Sequence, residues 1–129
     1  MADIYRHIPG APDRRIGRVD PESGSVYAVH FGPDRYLGRV DYASGRVYRH
    51  RPLAPDAYVG HVDAGGRVYA HRFGPDAYVG RVNADGGVLR HLPLAPDAYL
   101  GRVQGMRHPV EGAAALLLFF LVEGQEEGE

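Results

Sequence analysis

The stretch YVGRVNADGGVLRHLPLAPDA, Tyr78 to Ala98, decides the fold, because the chain says nearly the same thing several times. YVGHVDAGGRVYAHRFGPDA begins at Tyr58, and YLGRVDYASGRVYRHRPLAPDA begins at Tyr36. Aligned on the strand glycine, Gly17, Gly38, Gly60, Gly80 and Gly101 fall at intervals of 21, 22, 20 and 21 residues. A period near twenty with two short apolar runs per unit predicts one β-hairpin per repeat. Both runs, as in YVGRV and RVYAH, alternate with period two and are rich in Val and Tyr, which is strand chemistry.

The turn between the runs is legible too. Asn83 to Gly87, NADGG, suits a type I turn followed by a glycine in the left-handed region, with Asn83 accepting from turn amides and Gly86 taking positive φ. This turn sets Val82 opposite Val88, Arg81 opposite Leu89 and Gly80 opposite Arg90. On that register the Tyr-Gly-Val side is the more apolar and is expected to face inward. Each hairpin then leaves through a Pro-Asp pair, from Pro12-Asp13 to Pro96-Asp97, which reads as a proline-set turn whose Asp caps the following amides.

The chain starts and stops out of phase with the repeat. DIYRHIPGAPD, from Asp3, matches the second half of a unit, and YLGRV from Tyr99 matches a first half. The two halves are complementary, so the N-terminal strand is expected to pair with Tyr99–Val103 and complete a fifth hairpin. That closure removes exposed edges. The linkers alternate in length and sequence, FGPD against PLAPD, which a regular five-membered ring would interrupt where its ends meet. A two-sheet sandwich or a flattened barrel accommodates the alternation. The fold class expected is therefore all-β: about ten short antiparallel strands over residues 1–109, followed by an apolar C-terminal segment, 110–129.

In that segment Gly112 to Val122 is an uninterrupted apolar run of 11 residues. As a helix it would span roughly 16 Å, short of the ~20 residues that cross a bilayer, so no membrane span is expected. A segment apolar on every side must be buried. It is expected to cover the β-structure as a helix or to form an interface, as helix or exchanged arm, through Leu116, Leu117, Leu118, Phe119, Phe120 and Leu121. The closing EGQEEGE reads as a frayed, solubilising end.

Composition narrows the functions. Apolar content of 44% and charged content of 24% fit a globular chain. There is no cysteine, hence no disulfide, thiolate or Cys-zinc chemistry. Every basic residue is arginine. Residues 1–109 hold 15 arginines against 11 acids, an excess too small to mark a nucleic-acid binder, while 110–129 hold five glutamates and no base. The N-terminus has no apolar leader core, which suggests a cytoplasmic location.

No catalytic motif stands out. Serine occurs only at Ser23, Ser25 and Ser44, in or beside turns, and threonine is absent. The glycines serve strands and turns and form no phosphate-cradling motif. His7, His50, His71 and His91 occupy equivalent repeat positions, but lack the close spacing that puts two ligands on one ion, so no metal or cofactor is expected. The candidate binding surface is the face bearing Arg18, Arg39, Arg81 and Arg102, with Tyr27, Tyr48 and Tyr69 across from some of them. Arginine interleaved with tyrosine can hold an anionic polymer or stack on a glycan.

The hairpin core G-x-V-[DN]-x-x-G-x-V, seen in GHVDAGGRV and GRVNADGGV, resembles bacterial short β-hairpin repeats of the WG type. More loosely, YVG…G.VY looks like MORN repeats. The chain departs from them in lacking tryptophan and in its shorter units. The resemblance implies a scaffolding or binding role and no catalysis. Together these readings point to a non-enzymatic scaffold that self-associates through its C-terminal segment as a homo-oligomer, or alternatively to a ligand-binding module working through the Arg/Tyr/His face.

Overall fold

The computed structural model describes residues 1–121. Ten antiparallel strands close into one barrel: β1 (Ala2–Arg6), β2 (Arg14–Val19), β3 (Ser25–Ala28), β4 (Arg35–Asp41), β5 (Arg46–Arg49), β6 (Ala57–Val62), β7 (Arg67–Ala70), β8 (Ala77–Val82), β9 (Gly87–Arg90) and β10 (Ala98–Gln104). Every strand pairs with its sequence neighbours, and β1 pairs with β10 to close the ring. The fifth hairpin thus comes from both ends of the chain, with Ile4 opposite Val103. Two long linkers lie side by side at that closure, so the alternation of linkers is interrupted there and the sheet does not divide into two.

The expected turn register holds: Gly80 faces Arg90, Arg81 faces Leu89 and Val82 faces Val88. The Asn83 carbonyl accepts from Gly86 N–H at 3.0 Å, and Gly86 takes φ +95°. The Asn83 side chain, expected on the turn amides, instead accepts from Arg81 Nη1 at 2.7 Å. Neighbouring hairpins are locked by the turn glycines. The carbonyls of Gly24, Gly45, Gly66 and Gly86 accept from Val40, Val62, Val82 and Val103 at 2.7–2.9 Å.

One expectation is corrected. Gly and Val of the Tyr-Gly-Val run point inward, but the tyrosines do not. Each pairing between hairpins carries a register shift, for example between Val68 and Tyr69, which sets Tyr69 beside Tyr78. Such a bulge inserts one residue and turns the side chains beyond it to the other face. Tyr36, Tyr58 and Tyr78 accordingly stand outside, packed on Tyr27, Tyr48 and Tyr69.

The lumen is filled by the C-terminal segment. Helix α1 (Pro109–Ala114) enters at the turn end of the barrel and continues as a π-helical stretch, Ala115–Phe120, closed by the Leu121 N–H on the Leu116 carbonyl. The wall is built to its girth. Five inward pairs, Val19/Val26, Val40/Val47, Val62/Val68, Val82/Val88 and Ile4/Val103, form one layer. One step along the strands lies a ring of the five repeat glycines. A β-carbon on Gly60 would stand 2.8 Å from Leu117 Cδ1, on Gly80 2.8 Å from Leu116 Cδ2, and on Gly101 2.8 Å from Phe120 Cζ. The segment order, Gly-Ala-Ala-Ala and then Leu-Leu-Leu-Phe-Phe, therefore puts small residues first and large ones where the wall has no side chains. Two strand residues advance about 5 Å along a barrel tilted by roughly 40°, close to one helical turn.

Entry of α1 is fixed by a capping box. Nδ1 of His108 accepts from Val110 N–H at 2.9 Å, and the Glu111 carboxylate accepts from Arg107 N–H at 2.7 Å and His108 N–H at 3.4 Å. Glu111 is fully buried and also accepts from the Tyr42 hydroxyl at 2.6 Å. At the far end Arg49 Nη2 donates to the Leu117 carbonyl at 3.2 Å, and the Arg6 guanidinium sits 5.3 Å from the centre of the Phe120 ring. Cations there suit the negative end of the helix dipole.

Candidate functional site

The outer surface is a fivefold ladder that the repeat generates. In four of the five units the aspartate of the Pro-Asp turn receives the strand arginine of the preceding hairpin: Arg18 to Asp34 at 2.8 Å, Arg39 to Asp56 at 3.2 Å, Arg81 to Asp97 at 3.0 Å, and Arg102 to Asp13 at 3.1 Å. Three of these carboxylates, and Asp76, meet the series histidines: His7–Asp13 at 3.2 Å, His50–Asp56 at 3.5 Å, His71–Asp76 at 3.2 Å and His91–Asp97 at 3.4 Å. Three of the arginines also lie on tyrosine rings, Arg18 on Tyr27 and Arg39 on Tyr48 at 4.1 Å, and Arg102 on Tyr5 at 4.2 Å. Arg81 has Leu89 opposite and no such ring.

The seven residues singled out for binding thus share one face, and the four arginines are each engaged by an aspartate. Asp13 and Asp97 bear the mark of it. Hydrogen bonds from Arg102 to Asp13 and from Arg81 to Asp97 hold these carboxyls below the usual range. At Asp76 the leading cause of the same shift is the Tyr58 hydroxyl.

One unit breaks the pattern. His61 stands where the others have arginine, stacked on Tyr69 with centroids 5.0 Å apart. Asp76 is consequently flanked by His61 at 3.1 Å and His71 at 3.2 Å, and it accepts from Tyr58 Oη at 2.7 Å. Desolvation, then the Asp76 hydrogen bond, push the Tyr58 hydroxyl's pKa upward. These groups, with Arg46, Tyr48 and Ser44, line an open cleft of about 620 Å³. Among the described residues no three His, Asp or Glu side chains form a metal-ligand group.

The other notable surface is the end of the barrel where the five Pro-Asp linkers lie. Phe31, Leu53, Phe73 and Leu94, one from each of four linkers, are 104–109% exposed and so are not buried by any of the described residues. Leu53 and Leu94 moreover sit at φ +59° and +64°, where the matching residue of the first linker is Gly10 at φ +76°. Holding leucine in that region costs roughly 1–3 kcal/mol. Sequence reading passed over these four. The signal was there, in leucine standing in RPLAPD and LPLAPD where IPGAPD has glycine.

The tail residues read as an interface are placed inside the barrel: Leu116 to Phe120 are buried and Leu121 is half-buried at the linker end. The closing Glu-rich stretch lies outside the described residues. Among the described residues no helix is long and apolar enough to cross a membrane. No family model, curated protein or solved structure matches the chain.

Proposed function

We propose that this chain is a non-enzymatic β-repeat scaffold that docks through the linker end of its barrel, and that it works in the cytoplasm. The observation that carries the reading is the set of four fully exposed apolar tips on one rim. A chain does not gain from such side chains in isolation, and apolar groups gathered at one place mark a contact surface. Self-association through Leu116–Phe120 would require the segment to leave the lumen it fills, so assembly is assigned to the rim instead. The test is retention of the folded protein on a phenyl matrix. Replacing Phe31 and Phe73 by Ser, and Leu53 and Leu94 by Gly, should abolish retention with Tm unchanged or raised; equal retention would remove the docking end.

A second reading rests on the broken unit. The cleft at Arg46, Tyr58, His61, His71 and Asp76 suits a small anionic or sugar ligand, and is the most specific form of binding through the Arg/Tyr/His face. Titrating inorganic phosphate and a sulfated disaccharide while following the His61 and His71 ring signals tests it. Shifts confined to these two rings support the cleft, and uniform shifts of all seven histidines count against it.

A further inference from the structure

We infer that the linker end of the barrel is a docking surface for an anionic lipid bilayer, an inference that rests on the docking reading above and names its partner. Three observations select this occupant. The four apolar tips on this rim project from four separate linkers, each fully exposed. A protein surface would need a matching pocket for each knob, whereas the headgroup layer of a bilayer takes them independently.

The second observation is charge. Arg14, Arg35, Arg51, Arg72 and Arg90 lie at this end, exposed, and none forms an ion pair among the described residues. Arg6 and Arg49 face the same mouth. The linker aspartates Asp13, Asp34, Asp56 and Asp97 at this end are each engaged by a strand arginine, and with those four arginines counted, arginine stays in small excess over the five linker aspartates and the four glutamates of residues 122–129. The hairpin-turn end carries Asp20, Glu22, Asp41, Asp63, Asp85 and Glu111 against Arg46, Arg67 and Arg107, so that end is net acidic. An anionic plane would orient the barrel, apolar tips and arginines first. A nucleic acid would use the arginines and leave the tips in water. A second copy docked mouth to mouth would oppose two arginine rings.

The third observation is the backbone. Leu53 and Leu94 hold positive φ while their side chains gain no burial among the described residues. Glycine suits that conformation better than leucine, so the side chain, and not the fold, requires leucine there.

The experiment is co-sedimentation of the full chain with vesicles of phosphatidylcholine alone, and with roughly a third phosphatidylglycerol. Binding is expected on the mixed vesicles, weak on the neutral ones, and weaker as NaCl rises from about 0.1 to about 0.5 M. Leu53→Gly with Leu94→Gly should reduce binding at least about tenfold, with Tm unchanged or raised. Arg51→Gln with Arg72→Gln should reduce it about 25-fold, at roughly fivefold per arginine, and flatten the salt dependence. No binding of the wild-type chain to mixed vesicles overturns the lipid proposal. If tip-dependent retention on the phenyl matrix persists, the docking end stands and its partner is a protein; if retention fails as well, the docking reading falls with it. A marked fall in Tm for the two-glycine variant also overturns the proposal, since it would show that the leucines serve the fold.

Discussion

Gly17 on β2 lies under the ring of Phe119 so closely that a β-carbon there would stand 2.7 Å from Cε2 and collide with Cζ. The pair shows what the repeat glycine is for. At Gly17, Gly60, Gly80 and Gly101 it is the absence of a side chain where the barrel wall meets the helix it encloses, and at Gly38 it keeps clear of the Tyr48 carbonyl on the next strand.

Gly17→Ala should therefore destabilise the protein by about 1–3 kcal/mol, the usual range for overpacking a filled core. Phe119→Leu on that background should restore part of the loss, although alone it leaves a void and costs stability. Urea melts of the two single variants and the double variant give the coupling directly. Additive effects would mean that the two residues do not meet.

A chain ended after His108 should not fold. The segment 109–121 supplies the lumen's whole filling, and a ring of valines and glycines cannot close on itself without it. Circular dichroism and light scattering would show an aggregating or unfolded product. A folded monomer from this truncation would mean that the segment merely rests on the barrel. Within the full chain, Leu116→Ala should cost about 2–5 kcal/mol.

The Tyr42 hydroxyl reaches the buried Glu111 carboxylate at 2.6 Å. Tyr42→Phe removes a hydrogen bond to a charged group, worth about 1.5–3 kcal/mol, and should lower the urea midpoint accordingly. Glu111→Gln should be tolerated less well at the Arg107 and His108 amides, because a neutral amide oxygen accepts more weakly than the carboxylate that closes the capping box.

Stability should fall on the acid side. Asp13, Asp76 and Asp97 are held below the usual carboxyl range by Arg102, by Tyr58 and by Arg81 respectively. A depressed folded pKa contributes stability that is complete above the unfolded value, near about 3.9, and is lost as pH falls through the folded value. The urea midpoint should thus be level from neutral pH to about pH 5 and drop below about pH 4. Asp97→Asn should make that drop shallower. An unchanged acid limb would show that the Asp97 pairing contributes nothing to it.

Within a hairpin, nearly everything was legible from the residues. Turn chemistry is local, so Asn83 to Gly87 determined the register of Val82 against Val88 without reference to any other part of the molecule. The two half repeats at the chain ends announced their pairing in the same way, since each carries what the other lacks. The Arg/Tyr face was also readable, but its meaning was not. That Arg39 is already engaged by Asp56, 17 residues on, depends on how one hairpin leans over the next.

Between hairpins, local chemistry runs out. The shift that turns Tyr58 and Tyr78 outward is a property of strand pairing, and no residue type marks it. What the sequence by itself determined is a set of five hairpins and an apolar segment that had to be buried. Only the tertiary structure decided that the hairpins close into one ring, and that the segment lies inside it rather than against a partner. The reason is steric. Five glycines spaced along the chain look like interrupted strands until closure brings them to one level, where Gly17, Gly60, Gly80 and Gly101 leave room for Leu116, Leu117, Phe119 and Phe120.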